Sequence, residues 1–143
     1  MKKTITLLTS ICLLLSLSGI GFADETKSTT ITYHVDPNYV VTIPANVTLN
    51  DTLEVSATNV VIEYGKKLNV KISGDFKLSN NNHEVAYSIT SGSTTINSGD
   101  TVLTINPDEA NTGSSTLTFV KPETGFKYAG DYSGTVSFII SVE

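Results

Sequence analysis

Leu68-Asn69-Val70-Lys71-Ile72-Ser73 sets an apolar side chain at every second position and a polar one between. Successive side chains of a strand point to opposite faces, so this run reads as a strand with one face buried and the other wet. The same period of two spreads in both directions. Towards the N-terminus, Val60, Ile62 and Tyr64 form one apolar set, and Leu53, Val55 and Ala57 another. Tyr39, Val41 and Ile43 alternate until Pro44, where a strand must end or become an edge. Ile31, Tyr33 and Val35 alternate before the Asp36-Pro37-Asn38 turn.

Towards the C-terminus, Ser73-Gly74-Asp75 breaks the strand, and Phe76 and Leu78 restart it briefly. The Asn-rich stretch Ser79 to His83 reads as a loop, and Val85, Tyr87 and Ile89 as the next strand. A turn at 90–93 and a weak strand at 94–97 lead to the Ser98-Gly99-Asp100 turn. Residues 101–105 read as a strand whose inward face the pattern leaves unassigned. A polar connection over 106–115 follows, then Leu117 and Phe119, then a second connection through Pro122 and Gly125. Val136, Phe138, Ile140 and Val142 alternate last. No window keeps a helical period, β-branched residues crowd the apolar positions, and about eight to ten short strands at roughly 8–12-residue spacing predict an all-β sandwich or barrel. No internal repeat is visible, so residues 30–143 are expected to form one domain.

The other end of the chain has a different logic. Met1-Lys2-Lys3 precedes an apolar run from Ile5 to Leu17, and small residues lead to Gly21-Phe22-Ala23. That is the layout of a secretory signal peptide, expected over 1–23, followed by an apolar-free leader over 24–29. Removal of residues 1–23 takes away the only Cys (Cys12), the only Met, and Lys2 and Lys3, so the net charge falls from −5 to −7. The remaining 120 residues hold no Arg, 7 Lys and 14 carboxylates. Affinity for phosphate backbones comes from Lys and Arg, so nucleic acid is not an expected partner. No second apolar stretch approaches the ~18–20 residues that span a bilayer. The domain is expected to be extracellular, secreted or held at a cell surface. Lys without Arg, together with frequent Asn, Ile and Thr, is the bias of an AT-rich bacterial genome.

One constellation is more specific than periodicity. Tyr128-Ala129-Gly130-Asp131-Tyr132 precedes the final strand, with Gly two residues before Tyr. In Greek-key sandwiches a Tyr near a late strand folds back so that its hydroxyl bonds upstream backbone, and Gly130 gives such a turn room at Tyr132. An immunoglobulin-like Greek-key β-sandwich is the fold expected.

The run Gly130-Asp-Tyr132-Ser-Gly-Thr135-Val136-Ser-Phe138-Ile-Ile140-Ser-Val142 resembles the closing hairpin and strand of immunoglobulin-like secreted bacterial domains. It is similar to the ends of spore-coat-U-type and fimbrial-type domains and of WxL-type surface domains of Gram-positive bacteria. Tyr39-Val-Val-Thr-Ile-Pro44-Ala-Asn-Val-Thr-Leu49 also resembles small exported immunoglobulin-like proteins of gut Firmicutes. The chain has no Trp and so lacks the Trp-x-Leu signature. What the resemblance implies is a surface or extracellular interaction domain, with no catalytic residues to carry over.

Residue chemistry points the same way. Serine hydrolysis needs a base, and His34 and His83 stand without a G-x-S-x-G elbow. Asp100, Asp108 and Glu109, or Asp75 and Glu84, are the carboxylates that calcium would need, but no D-x-D-x-D loop gathers them. No enzyme activity, metal or cofactor is expected. An isopeptide staple from Lys27 would need an Asn in the last strand, and 135–143 has none. Tyr39, Tyr64 and Tyr87 could form a sugar platform, yet their phases read as core. The residues expected to face a ligand are Asn80, Asn81, Asn82 and His83, then Asn111, then Lys121 and Lys127, in three separate loops. The partner is expected to be a protein or glycan at a bacterial or host surface. Two alternatives stay open: a surface polymer or coat built by strand addition between copies, and a small carbohydrate-binding domain.

Overall fold

The computed structural model describes residues 28–143. The signal-peptide segment 1–23, residues 24–26 of the leader and Lys27 lie outside the described residues. Ten strands follow one another: β1 (Asn38–Thr42), β2 (Thr52–Val61), β3 (Leu68–Ser73), β4 (Lys77–Asn80), β5 (His83–Ala86), β6 (Ser88–Ser91), β7 (Thr94–Ile96), β8 (Thr101–Ile105), β9 (Gly113–Val120) and β10 (Ser137–Val142). No helix occurs among the described residues, so none is long and apolar enough to cross a membrane. The fold is all-β.

Every pairing is antiparallel, in a five-stranded sheet ordered β1-β2-β9-β6-β7, a three-stranded sheet ordered β10-β3-β8 and a separate β4-β5 hairpin. The two larger sheets turn their apolar faces to one core. The five-stranded sheet supplies Leu53, Val55, Ala57, Val60, Ile89, Ile96, Leu117 and Phe119, and the three-stranded sheet supplies Leu68, Val70, Ile72, Val102, Leu103 and Ile105. Full burial of a Leu, Ile or Val contributes about 1.5–3 kcal/mol each, which makes this cluster the main source of stability. Register keeps like with like: Leu53 lies opposite Leu117, Ile89 opposite Phe119 on one side and Ile96 on the other.

Three departures from strict alternation have identifiable causes. The set at 53–57 and Val60 belong to one strand, β2, which ends at Val61; within it Asn59 adopts a left-handed φ of 53° and inserts an extra residue. Ala57 and Val60, three apart, therefore both face the core, while Tyr64 lies beyond the strand and is 94% exposed. In β8 the register shifts opposite Val70 and Lys71, and the bulge lets the adjacent Val102 and Leu103 both turn inward. The run expected from Val85 to Ile89 is broken at Tyr87, which lies between β5 and β6; its ring packs between Phe76 and Phe119 at 6.1 and 6.0 Å.

Further readings are corrected. Residues 28–37 form no regular element, and Ile31 and Tyr33 are each 91% exposed, so the strand expected there is not formed. The stretch 79–83 is not a loop: Ser79 and Asn80 end β4, His83 begins β5, and Asn81 and Asn82 are the turn between them. Asn80 pairs with His83, and Asn81 supplies the positive φ (52°) that the tight turn needs. The connection read as 106–115 is shorter, since β9 begins at Gly113. Tyr39 sits on edge strand β1 and is partly exposed rather than core.

The edge at β10 is unfinished. Phe138, Ile140 and Val142 lie directly opposite Ile72, Val70 and Leu68 and share their inner face. Val70 is 0% exposed, but its partner Ile140 is 41% exposed. Among the described residues no strand pairs with the other side of β10. At the end of this strand Lys71 Nζ meets Glu143 Oε1 at 3.1 Å, and that hydrogen bond, helped by Ser141, holds the Glu143 carboxyl below its usual range. The pair is exposed and adds little to stability.

Candidate functional site

The β4-β5 hairpin and the segment 125–134 build one surface joined by backbone bonds, side-chain bonds and ring contacts. Ser79 and Ser133 exchange both backbone bonds, at 2.8 and 3.1 Å, so the segment runs beside β4. Gly134 lies so close to the Lys77 carbonyl that a β-carbon there would overlap it. Above this contact His83 Nε2 donates to the Gly125 carbonyl (2.8 Å), and Asn80 Nδ2 donates to the Ala129 carbonyl (3.4 Å). A carbonyl can only accept, so the proton of a neutral His83 sits on Nε2 and Nδ1 is left as an acceptor.

Tyr132 closes the turn. Its hydroxyl donates to the Tyr128 carbonyl (3.1 Å) and accepts from the Tyr128 N–H (3.3 Å), four residues upstream. Gly130 between them has φ 126°, a conformation that side chains rarely adopt, and a β-carbon there would press on the Asn80 amide at 2.8 Å. The rings interlock around this backbone. His83 meets Tyr128 edge-on at 5.3 Å and Tyr132 at 6.2 Å, and Phe126 meets Tyr132 at 5.0 Å with perpendicular planes. Such edge-to-face pairs add about 0.5–1.5 kcal/mol beyond burial. Tyr132→Phe keeps the ring and removes the two backbone bonds. The expected result is a loss of about 1 kcal/mol in urea unfolding, with the β-sheet circular dichroism unchanged.

Two concavities flank the turn. One, of about 820 Å³, opens between the 46–50 connection and residues 126–136, with Val47, Leu49, Leu78, Tyr87, Phe119, Phe126 and Val136 among its lining. Burial beside it raises the Tyr87 phenol above its ordinary pKa. The other, of about 470 Å³, is lined by Asn80, Asn81, Asn82, His83, Tyr128 and Ala129. The chain matches no family model, no curated protein and no solved structure.

The residues expected to face a ligand divide accordingly. Asn80, Asn81, Asn82 and His83 come together with the 125–132 segment in one place. Lys121 lines the larger concavity, its N–H donating to Asn50 Oδ1 (3.1 Å) and its ammonium 5.6 Å from the Phe126 ring centre. Lys127 places its ammonium 5.5 Å from the Tyr128 ring centre and lines neither concavity. Asn111 lies apart, its carbonyl accepting from the Val60 N–H at 3.0 Å. Tyr128, 57% exposed, is the residue the sequence reading passed over. Its signal was the corner itself, because a hydroxyl bonding back to residue 128 must bring that residue beside the turn.

No three His, Cys, Asp or Glu side chains gather among the described residues. Three of the five carboxylates considered for calcium make local bonds. Asp100 accepts from the Asn97 N–H at 2.7 Å, Glu109 from the Asn106 amide at 3.1 Å, and Glu84 pairs with Lys77 at 2.9 Å. That last pair raises the Lys77 pKa through its hydrogen bond to Glu84.

Proposed function

We propose that this protein is an exported, non-enzymatic subunit of a bacterial surface assembly, in which an immunoglobulin-like frame accepts an extended strand from a second copy. The observation that carries the reading is the half-covered inner face of β10. An inner-face Ile left 41% exposed beside a Val at 0%, on a strand whose second backbone edge meets no strand among the described residues, marks a sheet open to one more neighbour. Val136, one residue before β10, also lines the larger concavity.

The occupant is residues 30–36 of another copy. They carry the alternation of a strand with one apolar face, Ile31, Tyr33 and Val35, with exposures of 91, 91 and 58%. Extended, these seven residues span about 23 Å, against about 20 Å for the six residues of β10. Main-chain bonds along the free edge would supply affinity, and alternate side chains entering the gap would set register.

The test compares the chain from Asp24 with the chain from Pro37 by light scattering over a concentration series. The longer form associates and the shorter stays monomeric. A synthetic peptide of residues 29–37 binds the shorter form, and its Tyr33→Lys version does not. Monomers at every concentration from both forms would end the reading. The adhesin-like interaction domain that the sequence leads one to expect first, in which loops make the contact, draws support from a separate observation: the convergence of the 79–84 and 125–132 segments at one end of the hairpin.

A further inference from the structure

We infer that the smaller concavity, between the β4-β5 turn and Tyr128, is a binding site for an uncharged saccharide. The groups around it are those that sugar recognition uses. Tyr128 is 57% exposed, and a half-exposed aromatic ring gives the C–H face of a pyranose an apolar surface to cover. Three carboxamides in a row and one imidazole give donors and acceptors at the rim. Several of these are uncommitted. Asn80 and Asn81 bond to each other, Nδ2 of Asn81 to Oδ1 of Asn80 at 3.0 Å, but the Asn82 carboxamide and the Tyr128 hydroxyl make no hydrogen bond among the described residues. With Nε2 donating to Gly125, Nδ1 of a neutral His83 is an acceptor that has no partner among the described residues.

Charge decides the ligand class. None of the six lining residues is an acid or a lysine, and the one ammonium placed nearby, that of Lys127, is taken up over the Tyr128 ring at 5.5 Å, whereas hydroxyls match amides that both donate and accept. The site is also held in place before any ligand arrives. The hairpin register fixes Asn80 against His83, the Ser79–Ser133 bonds fix the hairpin against the segment, and Tyr132 clamps residue 128 by its backbone. Rigid presentation lowers the ordering cost of binding, and a volume near 470 Å³ is within the usual range of small-ligand sites. The strand-accepting edge plays no part in this site, so the two proposals stand or fall separately.

The probes are galactose, mannose, N-acetylglucosamine and their disaccharides, added at millimolar concentrations to the chain from Pro37, which lacks the strand-donating residues. Amide and side-chain resonances of Asn82, His83 and Tyr128 are followed by NMR. At least one neutral sugar shifts them saturably, Tyr128→Ala weakens that binding tenfold or more, and Asn82→Ala weakens it several-fold. Because Tyr132 holds Tyr128 through main-chain atoms, removing the ring spares those bonds, and an otherwise unchanged amide spectrum confirms the fold. Tyr39→Ala, on edge strand β1, leaves the affinity as it was. Shifts that fail to saturate, binding unchanged by Tyr128→Ala, or response to sialic acid alone would each overturn the assignment.

Discussion

Ile72→Lys is expected to leave no folded protein, while Ile140→Lys folds almost as the parent does and remains a monomer. The two isoleucines occupy the same inner face of the same sheet, on adjacent strands. Ile72 is 0% exposed at the centre of the core, where an ammonium has no partner and no route to water. Burying it there costs several kcal/mol, and the lost burial of the Ile adds about 2–3 more. A domain of this size holds roughly 5–15 kcal/mol in all. Ile140 lies one strand further out, and a lysine there can lay its stem on the sheet and reach solvent with its head. Its cost to the monomer is about 1 kcal/mol or less. The same charge would stand where Ile31, Tyr33 or Val35 of a second copy has to enter, so association disappears. Equilibrium urea unfolding and light scattering on both variants check the pair. An Ile140→Lys variant as disrupted as Ile72→Lys would mean that β10 is already covered in the monomer.

That contrast shows what alternation can and cannot convey. Leu68 to Ser73 was readable because β3 is the central strand of its sheet, covered on one face and wet on the other. Ile31-Thr-Tyr33-His-Val35 has the same period, yet forms no strand. Alternation records which side chains are built to share a face; it does not say which surface that face meets, or in which copy of the molecule. Bulges hide the pattern in the opposite sense. At Asn59 and at Val102–Leu103 the inward residues are three apart or adjacent, so a period of two splits β2 into halves and leaves β8 without a face.

The site was legible in pieces. Asn80 to His83 stood out by composition and Tyr132 by its spacing from Gly130, but nothing local says that residues 45 to 54 positions apart will touch. What joins them is a pair of backbone bonds between Ser79 and Ser133, the side-chain bonds of His83 to Gly125 and Asn80 to Ala129, and a ring contact between His83 and Tyr128. Tyr64 shows the converse: in phase with a strand on paper, it falls just past a bulge and ends almost wholly in solvent.

Gly134→Ala is the second substitution with a large expected effect. A β-carbon at residue 134 would overlap the Lys77 carbonyl oxygen and come within 3.2 Å of the carbonyl carbon and 3.1 Å of Leu78 Cδ2. Two of those three atoms are backbone, so no rotation of a side chain relieves the overlap, and β4 must part from the segment beside it. The Ser79–Ser133 pair of bonds, one residue away, is lost with it. Overpacking of this kind costs about 1–3 kcal/mol, and the two backbone bonds add about 1 kcal/mol each. A total near 3–5 kcal/mol is therefore expected from one methyl group. Gly92→Ala serves as the control: its φ of 58° is strained for any side chain, but nothing lies within 4 Å, so the cost is about 1–2 kcal/mol. Chemical unfolding of both variants gives the comparison. If Gly134→Ala is no less stable than Gly92→Ala, the close approach of residue 134 to β4 is wrong, and with it the clamp that holds the saccharide site. If the large loss is found, hydrogen exchange should locate it in β4, β5 and 126–134, leaving the amides of β2, β3 and β9 protected.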